Sequence, residues 1–272
     1  RSRNHQSIME EMKRLLDNGV KEIIIGGIDV GSYEDPHEEK AYRLKNLLRE
    51  MAEYAPEKHF RIRVSSIECS QIDDEYISLF HDYPNRLCPH FHIPLQSGSE
   101  KILIKMNRKY RLEDFYSMTE KIKKNITNVA LSTDVISGFP GETDEDFKIT
   151  CDNIRKIGFT KIHVFPFSSR SGTVASKMKD QVNGEVKKKR VEELIKLSKE
   201  LGKEYYSKFI DRKLEVLFET FDKETNMLTG YTSNYIKVHC PGDPSLLNTF
   251  RNVKLLELIE KDNDYEMKGR LL

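Results

Sequence analysis

Apolar residues recur three and four positions apart in four stretches: Ile8, Met12, Leu15 and Leu16; Leu44, Leu47, Leu48, Met51 and Ala52; Leu112, Phe115, Tyr116, Ile122 and Ile126; and Phe147, Cys151, Ile154 and Ile157. That spacing gathers them on one side of a helix, so each stretch predicts an amphipathic helix laid on a core. Gly19 and Gly158 follow two of the stretches, where a left-handed cap favours glycine. Short apolar runs lie between the helices at 22–26 (EIIIG), 60–65 (FRIRVS), 90–95 (HFHIPL), 129–136 (VALSTDVI) and 161–167 (KIHVFPF). Strand alternating with helix is the signature of βαβ units on a parallel sheet. Five strands are too few to close an eight-stranded barrel. The expected fold class is therefore α/β, a partial and open parallel α/β barrel, ending with a long amphipathic helix near residue 207.

Beyond residue 208 the helical period disappears. Segments 214–218 (LEVLF), 235–239 (YIKVH) and 253–259 (VKLLELI) alternate or run apolar, separated by turn-rich stretches at 222–226, 241–244 and 261–264. This pattern predicts a small antiparallel β-barrel or sandwich. Two domains are expected, 1–207 and 208–272.

Charge changes the picture only locally. Lys and Arg number 45, Asp and Glu 44, so the net charge of +1 gives no general attraction to nucleic acid. Two basic runs stand out. Lys101, Lys105, Arg108, Lys109 and Arg111 surround Tyr110, and Lys187-Lys188-Lys189-Arg190 forms the second. Each reads either as a solvated helix face or as a contact for phosphate. No apolar run approaches the roughly 18 residues of a membrane span, and the first residues lack an apolar signal core. A cytoplasmic protein that uses no membrane is expected. The four cysteines, Cys69, Cys88, Cys151 and Cys240, lie too far apart for a zinc or iron–sulfur motif, so no metal ligand is read from this chain.

In an α/β barrel, reactive side chains gather at the C-terminal ends of the strands. Here those ends carry Gly26-Gly27, Glu68, Gln96-Ser97-Gly98-Ser99 and Gly138-Phe139-Pro140-Gly141-Glu142, with Asp134 nearby. Glycine admits a ligand close to the backbone. Carboxylates such as Glu68 and Asp134 suit the hydroxyls of a ribose, and each reads equally as a solvated loop acid. Ser99 suits a helix N-cap, and Thr143 with Asp146 has capping-box-like spacing. His90, His92, Gln96 and His163 have to face a barrel interior, a cleft or a polar neighbour. A metal site on His90 and His92 lacks a third ligand, and no G-x-S-x-G supports a serine hydrolase.

Taken together, GGIDVGSY (26–33), RVSSIE (63–68), PHFHIPLQSGS (89–99), MNRKY (106–110), STDVISGFPGETDEDF (132–147), KIHVFPFSSRSGT (161–173) and GYTSNYIKV (230–238) resemble the radical S-adenosylmethionine methylthiotransferases of tRNA. The match is strongest to the branch acting on N6-threonylcarbamoyladenosine at position 37. The resemblance implies S-adenosylmethionine and two 4Fe–4S clusters as cofactors, tRNA bound by its anticodon loop as partner, and a C-terminal TRAM domain. It implies a 5′-deoxyadenosyl radical that takes hydrogen from C2 of the adenine before a methylthio group is inserted. Carried over motif by motif, it assigns cofactor binding to Gly26, Gly27, Glu68, Gln96, Arg108, Asp134 and Phe165. RNA binding falls to Lys101, Lys105, Arg108, Lys109, Tyr110, Arg111, Tyr231 and Tyr235, in a monomer. The family's C-x-x-x-C-x-x-C and N-terminal domain are missing, so a fragment inactive in radical chemistry is expected. The alternatives are a non-catalytic RNA-binding remnant, a sister-branch methylthiotransferase acting on isopentenyl-adenosine or a ribosomal protein, and a different α/β-barrel enzyme such as a lyase or aldolase.

Overall fold

The structure, a computed structural model, describes residues 1–262 and 264–272. Its first part alternates helix and strand: α1 (His5–Asp17), β1 (Glu22–Ile25), α2 (Leu44–Glu53), β2 (Arg61–Val64), α3 (Asp74–Asp82), β3 (His90–His92), α4 (Glu100–Lys105), α5 (Leu112–Asn125), β4 (Ala130–Ser137), α6 (Asp144–Ile157), β5 (Lys161–Pro166), α7 (Val174–Lys177) and α8 (Gly184–Ser207). Local chemistry sets the ends of several of these. The Asn4 side chain caps α1 by accepting from Ser7 N. Thr143 and Asp146 form a reciprocal capping box on α6, and Gly158 ends that helix in the left-handed conformation. Ser99 precedes α4 without capping it, because its hydroxyl donates to Asp146 instead.

Strands β1 and β2 pair in parallel, as do β3, β4 and β5. Single bridges from Ile62 to Leu87 and from Ser66 to His92 join the two sheets. The result is an open crescent whose outer strands, β1 and β5, each have one neighbour. Alternation along the strands separates its two faces. Ile62, Val64, Phe91, Ile93, Leu131, Val135 and Ile162 are buried in one core with Leu47, Phe80, Phe115 and Ile154 from the helices. The intervening positions, Arg63, His90, His92, Ser132, Asp134, Lys161 and His163, line a cavity on the concave side.

Strands β6 (Lys213–Asp222), β7 (Met227–Thr232), β8 (Lys237–Pro241), β9 (Phe250–Lys261) and β10 (Asp264–Leu271) form a closed barrel in the order β10-β8-β7-β6-β9. Closure runs through a parallel contact between β8 and β10, where an antiparallel barrel or sandwich is expected from the sequence. Strands β7 and β10 are absent from the sequence reading, since Gly230 and Gly269 interrupt their apolar alternation. Both glycines are steric necessities. An added Cβ on Gly230 would lie 2.0 Å from the Leu217 carbonyl oxygen, and one on Gly269 would lie 2.3 Å from Val253. The strand expected from residue 235 begins at Lys237, because Tyr235 is left-handed (φ 66°) and Ile236 N donates to the Thr232 hydroxyl, shaping a turn. The turn expected over 261–264 includes Asn263, which lies outside the described residues.

Candidate functional site

Two loops at the C-terminal ends of β1 and β2 hold one another. Gln71 donates to Asp29 (2.8 Å), and the same side chain accepts from Glu68 N. Gly26 and Gly27 follow β1 and are exposed. Neither has positive φ, and an added Cβ would find nothing nearer than 4.0 Å at Gly26 and 3.5 Å at Gly27. Folding therefore does not demand glycine there. At the end of β3, Gln96 is left-handed (φ 63°). Its N–H donates to Asp134 O and its carbonyl accepts from Ile136 N, an isolated parallel bridge to β4 four residues past the end of β3. The Asp134 side chain sits on the concave face, 3.3 Å from His92 Nε2.

The turn between β4 and α6 is fixed from inside. Gly138 and Gly141 have φ of 76° and 80°. Gly138 N donates to Glu142 (2.8 Å), whose carboxylate also pairs with Arg190 from α8 at 2.7 Å. Glu142 and Arg190 are 6% and 5% exposed, so this is a buried ion pair. Burial raises the Glu142 pKa, and the Gly138 amide and Arg190 only partly oppose it. Asp146 ends lower than the usual carboxylate range. Burial would raise it, but hydrogen bonds from Lys101, Thr143 and Ser99 outweigh that.

The cavity on the concave side, about 640 Å³, is closed on one side by the β-barrel and the end of α8. His90 Nε2 and His92 Nδ1 flank the Ser132 hydroxyl at 3.2 and 3.0 Å. Burial, reinforced by Arg63, His92 and His163, pushes His90 down to about 3, so its ring is neutral. Glu22 pairs with both Arg61 and Arg63. Those guanidinium groups also donate to the carbonyls of Tyr231, Ser233 and Thr232, which docks the barrel onto β2. Tyr231 and Tyr235 stack at 4.9 Å and line the cavity, with Arg63 4.5 Å from the Tyr235 ring and His90 4.7 Å away.

The basic stretch 101–111 is less uniform in space than in sequence. Lys101 pairs with Asp146, and Arg111 with Glu100. Tyr110 is corrected outright. It is 7% exposed and donates to Leu95 O, so its ring belongs to the core and offers no face to a base. Arg190 likewise leaves the second basic run for the interior. Lys109 is exposed, and Phe165 on β5 is half exposed. The Glu22–Arg61–Arg63 cluster escaped the sequence reading, although charged residues at alternate positions of an apolar strand were a legible signal for it.

A family model described as the Radical SAM superfamily matches residues 1–154. The chain belongs to this superfamily. More particularly, it is 43% identical over 260 residues to the threonylcarbamoyladenosine tRNA methylthiotransferase MtaB of Bacillus subtilis, covering 94% of this chain and 57% of that one. It is 39% identical over 273 residues to the tRNA-2-methylthio-N(6)-dimethylallyladenosine synthase of Thermoanaerobacter sp. (strain X514), covering 100% and 56%. To the MtaB of Thermotoga maritima the identity is 35% over 262 residues, covering 96% and 58%. The chain thus spans a little over half the length of these relatives.

The superfamily implies S-adenosylmethionine and a 4Fe–4S cluster. The cysteines here do not fit a cluster. Cys69, Cys88 and Cys240 are buried, and burial pushes Cys69 up to about 12 and Cys88 and Cys151 up to about 11, away from the thiolate that binds iron. Among the described residues, no three His, Cys, Asp or Glu side chains converge as metal ligands. The strand ends do fit a polar ligand. Ser65 Oγ just after β2 and Ser137 Oγ at the end of β4 are buried without hydrogen-bond partners, Ser65 beside Gly26, and Arg108 Nε after α4 is buried without a partner too. No helix among the described residues is long and apolar enough to cross a membrane.

Proposed function

We propose that this chain is the S-adenosylmethionine-binding and RNA-binding portion of a tRNA methylthiotransferase acting on N6-threonylcarbamoyladenosine at position 37. The observation that carries the reading is the 43% identity to the Bacillus subtilis enzyme across 94% of this chain. Residues 1–207 hold the cofactor, and 208–272 form a TRAM-like module that holds the anticodon loop. Gly26 and Gly27 admit the cofactor to the backbone, Glu68 and Asp134 accept from its ribose, and Gln96 and Arg108 hold its polar groups. Phe165 lies near its adenine. When bound, S-adenosylmethionine supplies the radical that activates C2 of the target adenine. The chain's own part is to position both partners and to exclude water from the concave face. Lys105 and Lys109 supply charge for RNA, since Lys101 and Arg111 are paired with Asp146 and Glu100. Tyr231 and Tyr235 receive a base only if it enters the cavity that they line. Reductive cleavage needs cluster ligands from outside this chain, so the chain alone is inactive.

The 39% identity to the Thermoanaerobacter enzyme over all of this chain favours a second reading, with dimethylallyladenosine as substrate. Mass spectrometry of tRNA nucleosides from cells with the encoding gene disrupted separates the two. The first reading expects 2-methylthio-N6-threonylcarbamoyladenosine to vanish while its unthiolated precursor accumulates. Loss confined to the dimethylallyl nucleoside would establish the second instead.

A further inference from the structure

The two basic runs, some eighty positions apart in sequence, meet at the turn between β4 and α6. Lys105, at the end of α4, lays its ammonium over Gly141: an added Cβ there would stand 1.9 Å from Lys105 Nζ. Lys187, in the first turns of α8, lays its stem over Gly138, where an added Cβ would stand 2.1 Å from its Cγ. The two glycines thus have a second use beyond their positive φ, since side chains in their place would displace both lysines. Neither ammonium has a carboxylate within 4.0 Å among the described residues, unlike Lys101 and Arg190 beside them. Nearby Glu142, Asp144 and Asp146 are already engaged by Arg190 and Lys101. Asp180, whose carbonyl accepts from Gly141 N, is the opposing charge on this rim. Lys109, Lys188 and Lys189, close neighbours of these two in sequence, are exposed.

We propose that Lys105 and Lys187, placed at the two ends of the Gly138–Gly141 turn, clamp phosphates of an RNA backbone at the C-terminal rim of the crescent. An enclosed socket would suit a small anion; a partly exposed pair of lysines with exposed ones close by in sequence suits a polyanion. The inference rests on the proposed tRNA reading and adds a surface from α8 that sequence proximity does not reveal. Each phosphate contact contributes about 0.7 to the slope of log affinity against log salt on single-stranded RNA. Removing two contacts lowers the slope by about 1.4, which is roughly 25-fold in affinity at ~0.1 M salt.

The test is an anisotropy titration of the whole chain with a labelled anticodon stem-loop across a salt series, using wild type, K105Q/K187Q and K105R/K187R, with thermal melting of each to verify folding. The clamp requires the Gln pair to lose that slope and affinity while the Arg pair keeps both. A folded Gln pair with wild-type slope overturns the clamp and leaves the tRNA reading standing. Equal losses in the Arg and Gln pairs overturn it too, since charge would then not be the cause. If wild type shows no salt-dependent binding, the clamp and the tRNA reading fall together.

Discussion

The crescent and the barrel solve the same problem, an enclosed β-surface, in opposite ways. The barrel has no free edge, and Val216, Phe218, Leu228, Ile236, Val238, Val253, Leu255 and Met267 fill its interior. The crescent leaves β1 and β5 with open edges and puts its hydrophobic side chains on the convex face, under helices. Its concave side carries Glu22, Arg61, Arg63, three histidines and Asp134. A surface of that polarity is costly to enclose unless each charge finds a partner or a ligand does. Part of the pairing comes from the barrel itself, through backbone carbonyls offered to Arg61 and Arg63. One region is therefore packed for stability, and the other is kept polar and hollow.

The most damaging test of this contrast is Glu22→Ala. It leaves two guanidinium groups buried without their carboxylate, and about 3–5 kcal/mol of stability is expected to be lost. Burial raises Glu22, but Arg63 and Arg61 outweigh it and hold its pKa low, so the wild-type contribution is lost as pH falls through that lowered value. Urea denaturation followed by separate probes of the crescent and the barrel should show the barrel transition parting from the other. A single unshifted transition would mean the cluster does not couple the two regions.

Arg190→Met comes next. It strands the buried Glu142 and should cost about 3 kcal/mol in thermal melting. Arg190→Met combined with Glu142→Leu, an apolar pair of similar volume, should recover most of that loss. If the double variant is no better than the single one, the turn needs the Glu142 bond to Gly138 more than it needs neutrality.

Another effect is set by pH and grows with acidification. His90 titrates at about 3 in the folded chain against an ordinary 6.5. The unfolded chain therefore takes up a proton that the folded one refuses. Stability from this group is complete above pH 6.5 and falls as pH drops towards 3, with a slope that grows to at most about 1.4 kcal/mol per pH unit. His90→Gln should flatten that part of the stability–pH curve measured by denaturant titration. A wild-type curve that is flat over this range would mean that His90 takes up its proton in the fold. The smallest expected change is Tyr110→Phe. It removes the donor to Leu95 O and should cost about 1 kcal/mol in melting without altering RNA affinity. A selective loss of RNA binding would return Tyr110 to the surface.

Most of the crescent was legible because its signals are local. Helical spacing, strand alternation and the caps at Thr143 and Gly158 depend on neighbours within a few positions. The barrel was read less fully. In β7 and β10, Gly230 and Gly269 sit where strand closure brings another strand against the backbone, and this proximity has no trace in the sequence nearby. The candidate site divides in the same way. The glycine pair and Gln96 follow strands as strand-end reasoning expects, whereas Asp134 lies inside β4 and turns its side chain into the concave cavity. Tyr110 did not, because whether an aromatic between lysines faces water depends on which helix packs over it.

By itself the sequence determined where helices and strands alternate, that the pattern changes near residue 208, and which family the chain belongs to, since motif order and short-range periodicity survive without contacts. Only the tertiary structure decided which charges remain free. Lys101 and Arg111 are neutralised by Asp146 and Glu100, Arg190 is buried against Glu142, and Lys105 meets Lys187 across a turn that belongs to neither run. The physical reason is range. Backbone preference acts over one or two turns of chain, whereas ion pairing and burial act between any residues that folding brings within a few ångströms.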